Sequence, residues 1–431
     1  MKVIIIGAGT GGLALAHGLK RAGIAVAVCE RDRSPRDSRG GYRVGISPGG
    51  SRALKACVPP EVYDLFVATC ARAPDWFTFY DQGFHELFSL DITAGTADPD
   101  NAERNVLRKT LRRVLLQGLE AEVGFGKTFV DYTVKGNEVT ARFEDGSTLT
   151  GDVLVGADGA NSRVRKQRLP RARHEDTGMV SVGGHMPMTP ETRALLTRKM
   201  FSGMSMLMAP RGFGAIIHSL EFTPARDDPD FPRRWPDFAD AVAQDSIGWG
   251  LWGTRRNFPK DPAVLPADGI ASLALEVTRD WHPHFREIVR RTDPASLQAL
   301  NIRTSVPVEP WESSNVTLLG DAIHTMTPGR GAGANTALRD AALLCRTLRD
   351  VAAGRESLVP ALAGYEKEML RYSTEAVLAS RKGMSAEDGI HKPIVGDLQF
   401  AATKAMMRTI NAIPPLKRRI SDKIRKVRGE N

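Results

Sequence analysis

A chain of 431 residues, 42% hydrophobic and with a formal net charge of +9, is long enough to bury the cores of two joined domains and too apolar to be disordered. Lys417 to Asn431 holds seven basic residues against Asp422 and Glu430, so the rest of the chain is close to neutral and the high pI does not mark a nucleic-acid binder. The scattered Cys29, Cys57, Cys70 and Cys345 form no C-x-x-C pair and no cluster at metal-ligand spacing, which argues against a disulfide framework or a metal site and for a reducing, cytoplasmic setting.

The first 30 residues predict strand, turn, helix and strand. "KVIII" is a β-branched run, "GAGTGG" is the turn, "LALAHGLKRAG" has helical periodicity, and "IAVAVC" is the second strand. The apolar opening resembles a signal peptide, but glycines break it, and no apolar run reaches the roughly 18 residues of a membrane span. Gly7, Gly9 and Gly12 form G-x-G-x-x-G between a strand and a helix. The first glycine allows a tight turn, the second lets the backbone approach a pyrophosphate, and the third permits close helix packing. Thr10 opens the helix, whose N-terminus attracts phosphate charge. Glu30, followed by Arg31, ends the second strand, where a carboxylate can accept from a ribose hydroxyl. These residues predict a dinucleotide site.

Two later strands end in the same kind of loop, "GDVLVGADGANSRVR" at Gly151 to Arg165 and "NVTLLGD" at Asn315 to Asp321. In an open α/β sheet ligands sit beyond the carboxyl ends of strands, so three such loops are expected to converge. Between them, from about Gln167 to Arg303, short alternating runs separated by Pro and Asp clusters predict an inserted antiparallel sheet. On it, His218 shares a face with Ile216 and Leu220, and Met204, Met206 and Met208 alternate on one face. Core packing is the default expectation for both groups, with a substrate-facing base and an apolar pocket as the alternatives. Trp249 and Trp252 read as sheet packing.

The segment "GDAIHTMTPGRGAGANTAL" selects among dinucleotides. Asp321, at a strand end, can accept from a polyol chain. Gly331, Ala332, Gly333, Ala334 and Asn335 sit at a helix start, where main-chain amides can face a negatively charged ring edge. A ribityl chain followed by an isoalloxazine presents those groups in that order, and NAD has neither. His324 reads as a hydrogen-bonded structural residue. Helices are predicted over Asn335 to Ala353, Leu358 to about Gly383, and Gly396 to Ile413. The basic tail reads as a solvated appendage, with weak attraction to an anionic membrane as the alternative.

The three motifs "GAGTGG", "DGANSRVR" and "GDAIHTMTPGRGAGAN" together resemble the class A flavoprotein monooxygenases of the para-hydroxybenzoate hydroxylase fold, over about Met1 to Gly383. The resemblance implies an α/β fold: a Rossmann-like, glutathione-reductase-type FAD-binding domain, an inserted, mostly antiparallel substrate sheet, and C-terminal helices. It places the FAD-binding domain at 1–70, 101–170 and 304–383, the substrate domain at 71–100 and 171–303, and C-terminal helices with the basic tail at 384–431. It implies one FAD, NADPH or NADH as transient reductant, and O₂ activated as a flavin C4a-hydroperoxide for hydroxylation or epoxidation of a hydrophobic small molecule. An oxidase or reductase on the same fold, or a non-catalytic flavin carrier, is the alternative. Glu30 would hold the adenosine ribose and Asp321 with Gly320 the ribityl chain. Arg43 and Arg108 match the family's FAD-contacting arginines. Asp158, Gly159 and Arg165 match a motif used for FAD and nicotinamide alike. Pro328 and the glycine loop after it would line the flavin edge. His218 and His185 are the candidates for acid-base assistance. Ile323, Thr327 and Ala332 depart from the commoner residues at their positions, which leaves the cavity beside the ring, and so the substrate, open.

Overall fold

A computed structural model describes residues 1–35, 37, 43–92, 102–392 and 394–420. The chain forms two compact units, each assembled from three stretches: Met1–Ala68, Val106–Glu175 and Arg303–Arg381 in the first, and Thr69–Asn105, Asp176–Ile302 and Lys382–Asn431 in the second.

The first unit is built on a parallel sheet in the order Val316–Leu318, Val153–Gly156, Lys2–Ile6, Ala25–Cys29 and Val123–Gly124. The central strands are continuous apolar runs because helices cover both faces of such a sheet, and Val3, Ile4, Ile5, Val153, Leu154, Val155, Val316 and Leu318 are fully buried. Lys2–Ile6 pairs in parallel with Ala25–Cys29 on one side and with Val153–Gly156 on the other, and the latter pairs with Val316–Leu318. The three strands whose carboxyl ends carry the glycine-rich loops are therefore neighbours. Thr10–Arg21, Pro48–Cys57 and Gly333–Ala352 pack together, with Leu358–Arg381 against the last of these. A three-stranded antiparallel sheet over Phe129–Lys135, Glu138–Phe143 and Thr148–Gly151 completes the unit.

The second unit is built on a seven-stranded sheet in the order Gln298–Ser305, His174–Pro187, Ser246–Thr254, Gly214–Leu220, Gly203–Met208, Trp76–Asp81 and Glu86–Asp91. The sheet is antiparallel where expected, but Gly203–Met208 runs parallel to Trp76–Asp81. That pairing recruits the stretch before Asn105, which no local pattern announces.

One face of this sheet is the core. Val180, Val182, Leu207, Ala215, Ile217, Ile247, Trp249 and Leu251 pack beneath Ala267–Val277 and Pro283–Arg290, and Trp249 Nε1 donates to Thr292 Oγ1 at 2.7 Å. Met204, Met206 and Met208 lie on the opposite, half-buried face; their alternation was real, but Ser205 and Leu207 take the core side. Trp252 shares the half-buried face and packs on Met179, Ile302 and Met384. The C-terminal helix Val395–Ala412 belongs to this unit and packs on Glu86–Asp91. Most of the basic tail, residues 421–431, lies outside the described residues.

Candidate functional site

The site of the first unit begins at the glycine turn. Gly7 has φ +111°, and a Cβ there would stand 2.4 Å from the Ala157 carbonyl oxygen; one on Gly12 would stand 2.2 Å from the Gly7 oxygen. Both positions exclude a side chain, so strand and helix meet at backbone distance. Around Gly9 the space is open to at least 4 Å. Gly9 caps Thr10–Arg21 without a side-chain hydrogen bond, and no acidic residue occupies the first turn. The helix therefore starts with amides that no side chain caps, beside open space at Gly9, as an anion site requires.

Glu30 closes the turn. Its carboxylate is buried, accepting from the Ala8 amide at 2.7 Å through Oε2 and from the Asp32 amide at 3.0 Å through Oε1. Arg112 approaches Glu30 at 3.5 Å and bonds Asp32 at 2.6 Å. Sequence reasoning missed Arg112; the available signal was its position one helical turn after Arg108 in "RKTLRRVL". Arg31 is exposed in the turn that follows.

The middle motif is largely committed to its own architecture. Asp158 Oδ2 accepts from the amides of Arg163 and Val164 at 2.7 and 3.3 Å, capping the Arg163–Arg168 helix, while Oδ1 is buried with no hydrogen-bond partner among the described residues. Burial is the main cause raising its pKa, against the hydrogen bonds from Ser162, Val164 and Arg163. Gly159 has φ +76° and open space around it. Arg165 is buried and donates to the carbonyls of Ala322 at 2.8 Å and Ala160 at 3.1 Å. It ties the second glycine-rich loop to the third.

In the third loop Gly320 adopts φ +63°, and its amide donates to Asp340 Oδ2 at 2.8 Å. The same carboxylate takes His324 Nε2 at 2.6 Å and the Tyr372 hydroxyl at 2.6 Å. Asp340 is fully buried and so holds both ends of the Asp321–His324 turn from below. Burial opposes protonation of His324, but the charge of Asp340 and the hydrogen bond to it prevail and raise the imidazole pKa. His324 is thus a partnered structural residue, as its sequence context suggested. Asp340 and Tyr372 were not anticipated; an aspartate among the apolar positions of "NTALRDAALL" was the visible signal.

This network leaves the Asp321 side chain exposed at the mouth of the turn. Its side chain stays accessible, but the mass of protein around it raises its pKa, opposed by His324 and Arg108 and reinforced by Asp340. Arg108, exposed at the start of Arg108–Leu116, is therefore brought to the third loop from far away in sequence.

Pro328 is exposed at the start of a short 3-10 turn that ends at Gly331, φ +61° with nothing close by. Ala332 caps Gly333–Ala352 without a side-chain hydrogen bond, leaving the amides of Gly333 and Ala334 available. Asn335 works by its side chain: Oδ1 accepts from the Ser47 amide at 2.8 Å, and Nδ2 donates to Gly45 at 3.1 Å and Gly331 at 3.0 Å. It clamps the glycine loop to Arg43–Ile46, the strand that carries Arg43.

The pieces fit FAD: an open anion site at Gly9, a carboxylate at the end of the second strand, a carboxylate at the third loop, and an uncapped helix start beyond it. His185 and His218 belong to the second unit. Cross-strand register sets His185 opposite Gly248 and Gly248 opposite His218, so both histidines occupy one row of the half-buried face, two strands and roughly 10 Å apart. Met204 and Phe77 continue that row.

Comparison with known proteins agrees with this geometry. An FAD binding domain family matches residues 1–44 and 272–380. A dual O-methyltransferase/FAD-dependent monooxygenase of Cercospora beticola is 33% identical over 402 residues, which cover 88% of this chain and 46% of that protein. An FAD-dependent monooxygenase of Penicillium herquei is 28% identical, with 88% and 89% covered. The crystal structure of a putative FAD-containing monooxygenase from Photorhabdus luminescens superposes with a TM-score of 0.77 at 32% identity, covering 89% of this chain and 97% of that one. The chain spans about half the length of the dual-function relatives it matches. With one solved relative matched over nearly its whole length at this identity, and a cradle that fits the cofactor, the chain belongs to the class A FAD-dependent monooxygenases.

Proposed function

We propose that the protein is an FAD-dependent monooxygenase that consumes NADPH or NADH and inserts one atom of O₂ into a hydrophobic small molecule, by hydroxylation or epoxidation. The observation that carries the reading is the convergence of three glycine-rich strand ends on neighbouring parallel strands, the first closely packed on the second at Gly7 and Ala157 and the second bonded to the third through Arg165. Bound FAD supplies the redox chemistry, accepting a hydride from nicotinamide and activating O₂. The chain's own residues bind and orient it. Gly7, Gly9, Thr10 and Gly12 take the pyrophosphate and Glu30 with Arg31 the adenosine end. Asp321, Gly320 and Arg108 take the ribityl region, and Pro328 with Gly331 to Asn335 the ring edge. Arg43, Asp158, Gly159 and Arg165 support these contacts.

The hydrophobic substrate reading rests on Met204, Met206, Phe77 and Phe79, which share the half-buried sheet face with His185 and His218. Thioethers adapt to irregular apolar ligands, and an imidazole can take a proton from a phenol-like hydroxyl. Four free cysteines support a cytoplasmic location.

The test is substrate-stimulated NAD(P)H oxidation under labelled O₂, read by product mass. One labelled oxygen per turnover is expected. Substrate oxidised without label would make the protein an oxidase or reductase, and no consumption with any substrate would leave only a flavin carrier.

A further inference from the structure

The C-terminal helix Val395–Ala412 is apolar on two sides, one of them facing solvent. Amphipathic helices of soluble proteins bury the apolar stripe and expose charge. Here Phe400, Met407 and Ile410 face the second unit, with a polar flank beside them, but they are only part of the helix's apolar surface. Lys404 Nζ meets Asp81 Oδ2 at 2.8 Å and Arg408 meets the same oxygen at 3.5 Å, with Asp81 almost wholly buried. The Arg211 amide donates to Asp397 at 3.3 Å and Asn411 to Glu86 at 3.4 Å. Phe400 is the one large apolar side chain buried from this helix.

The opposite side carries Leu398, Ala402 and Met406, spaced four residues apart, with Ala405 beside them, all exposed, Leu398 at 72% and Met406 at 55%. Ile394 and Val395 precede them, and Ile413 and Leu416 follow, again exposed. Six of the twelve large exposed apolar side chains among the described residues thus fall within 394–416. Lys417, Arg418 and Arg419 come next, and the remaining sequence adds four basic residues against Asp422 and Glu430.

We propose that this face docks on an anionic lipid bilayer. An exposed apolar stripe continued by a cationic segment is what an interfacial helix presents to acidic headgroups and the acyl boundary beneath them. Charge favours the bilayer over a second copy of the chain: seven basic residues against two acidic ones over 417–431 match a continuous anionic surface, whereas the helix Val395–Ala412 of a second copy offers a single carboxylate, Asp397. A bilayer accepts both the stripe and the charge. No helix among the described residues is long and apolar enough to cross a membrane, so the contact lies in the interface plane.

The test is sedimentation of the full chain with its flavin, using phosphatidylcholine vesicles with and without phosphatidylglycerol. Binding to the anionic vesicles should exceed binding to the neutral ones by about ten-fold or more, and salt should weaken it. Leu398→Glu with Met406→Glu should reduce binding by roughly ten-fold per side chain, in line with the loss of a buried apolar group. Because both residues are exposed, flavin content and melting temperature should hold. Arg418→Gln and Arg419→Gln together, both exposed, should cost about five-fold per charge on anionic vesicles. Equal, weak sedimentation with both vesicle types would overturn the proposal, as would undiminished binding of the Leu398/Met406 variant. So would a wild-type dimer in light scattering that this variant turns into a monomer.

Discussion

The parallel-sheet site and the half-buried face of the seven-stranded sheet pose the same problem, placing chemistry-bearing groups against a ligand, and solve it at different ranges. In the first unit much of the proposed cradle sits within a few residues of a glycine that admits it: Gly7 and Gly12 set the turn, Gly320 precedes Asp321, and Gly331 precedes the uncapped helix start. In the second unit His185, Gly248, His218, Met204 and Phe77 come from five strands and meet only through register. A site of short-range backbone geometry tolerates almost no change at its glycines, whereas a site of register tolerates change in any one strand and fails by tilting a side chain.

The largest expected effect falls on the first region. Gly12→Ala places a methyl 2.2 Å from the Gly7 oxygen. Overpacking of about 1–3 kcal/mol, added to a lost charge-assisted amide contact of about 1.5–3 kcal/mol, should weaken FAD binding roughly a hundred-fold or more in fluorescence titration. A near-native affinity would mean that the turn is not the pyrophosphate site.

Asp340→Asn tests whether the third loop depends on its buried carboxylate. Breaking a buried ion pair costs about 3–5 kcal/mol, so the apoprotein should lose melting temperature while FAD affinity falls with it. Asp321→Ala separates the two roles. It should leave apoprotein stability in place and weaken FAD by about 1.5–3 kcal/mol, the worth of a hydrogen bond to a charged group. FAD released on denaturation, rather than FMN, is expected throughout, because the Gly7–Glu30 end would be empty with FMN.

Gly248→Ala probes the other region. A Cβ there would stand 2.5 Å from His218 Nε2, tilting the ring, and both residues belong to the second unit, not to the one that carries the glycine-rich loops. FAD affinity should change by less than about two-fold, while peroxide released per NAD(P)H rises several-fold as substrate positioning loosens. If flavin affinity falls as far as with Gly12→Ala, the contrast between the two regions is wrong.

The smallest effect is a pH dependence. The raised pKa of His324 means that its pairing with Asp340 stabilises the fold fully below the ordinary histidine pKa and is lost as pH rises through the raised one. His174 runs the other way: burial, aided by Arg165, Arg303 and Lys166, lowers its pKa to about 4, so its contribution is present above the ordinary value and lost as pH falls toward 4. Melting curves of apo His324→Asn should differ from wild type more at pH 6 than at pH 9, and those of His174→Gln more at neutral pH than at pH 4. The reverse order in either would contradict the assigned environments.

The glycine motifs, the strands before them and the helices after them were legible because they are local: a β-branched run, a residue with positive φ and a periodic apolar face are each decided within a dozen residues. Asp340, Tyr372 and Arg112 were not. Their function lies in bonds to Gly320, His324 and Glu30, and nothing about a lone carboxylate or arginine on a helix names its partner. The side taken by Met204, Met206 and Met208 was undecidable for the same kind of reason: alternation defines two faces, and only the helices Ala267–Val277 and Pro283–Arg290 choose which is covered. Sequence alone determined the cofactor class and the three glycine-rich loops proposed to hold it, because backbone conformation at glycine is a local property. Tertiary structure decided which groups lock those loops, which histidines share a row and which face of the last helix meets solvent, because burial and pairing depend on residues far apart in the chain.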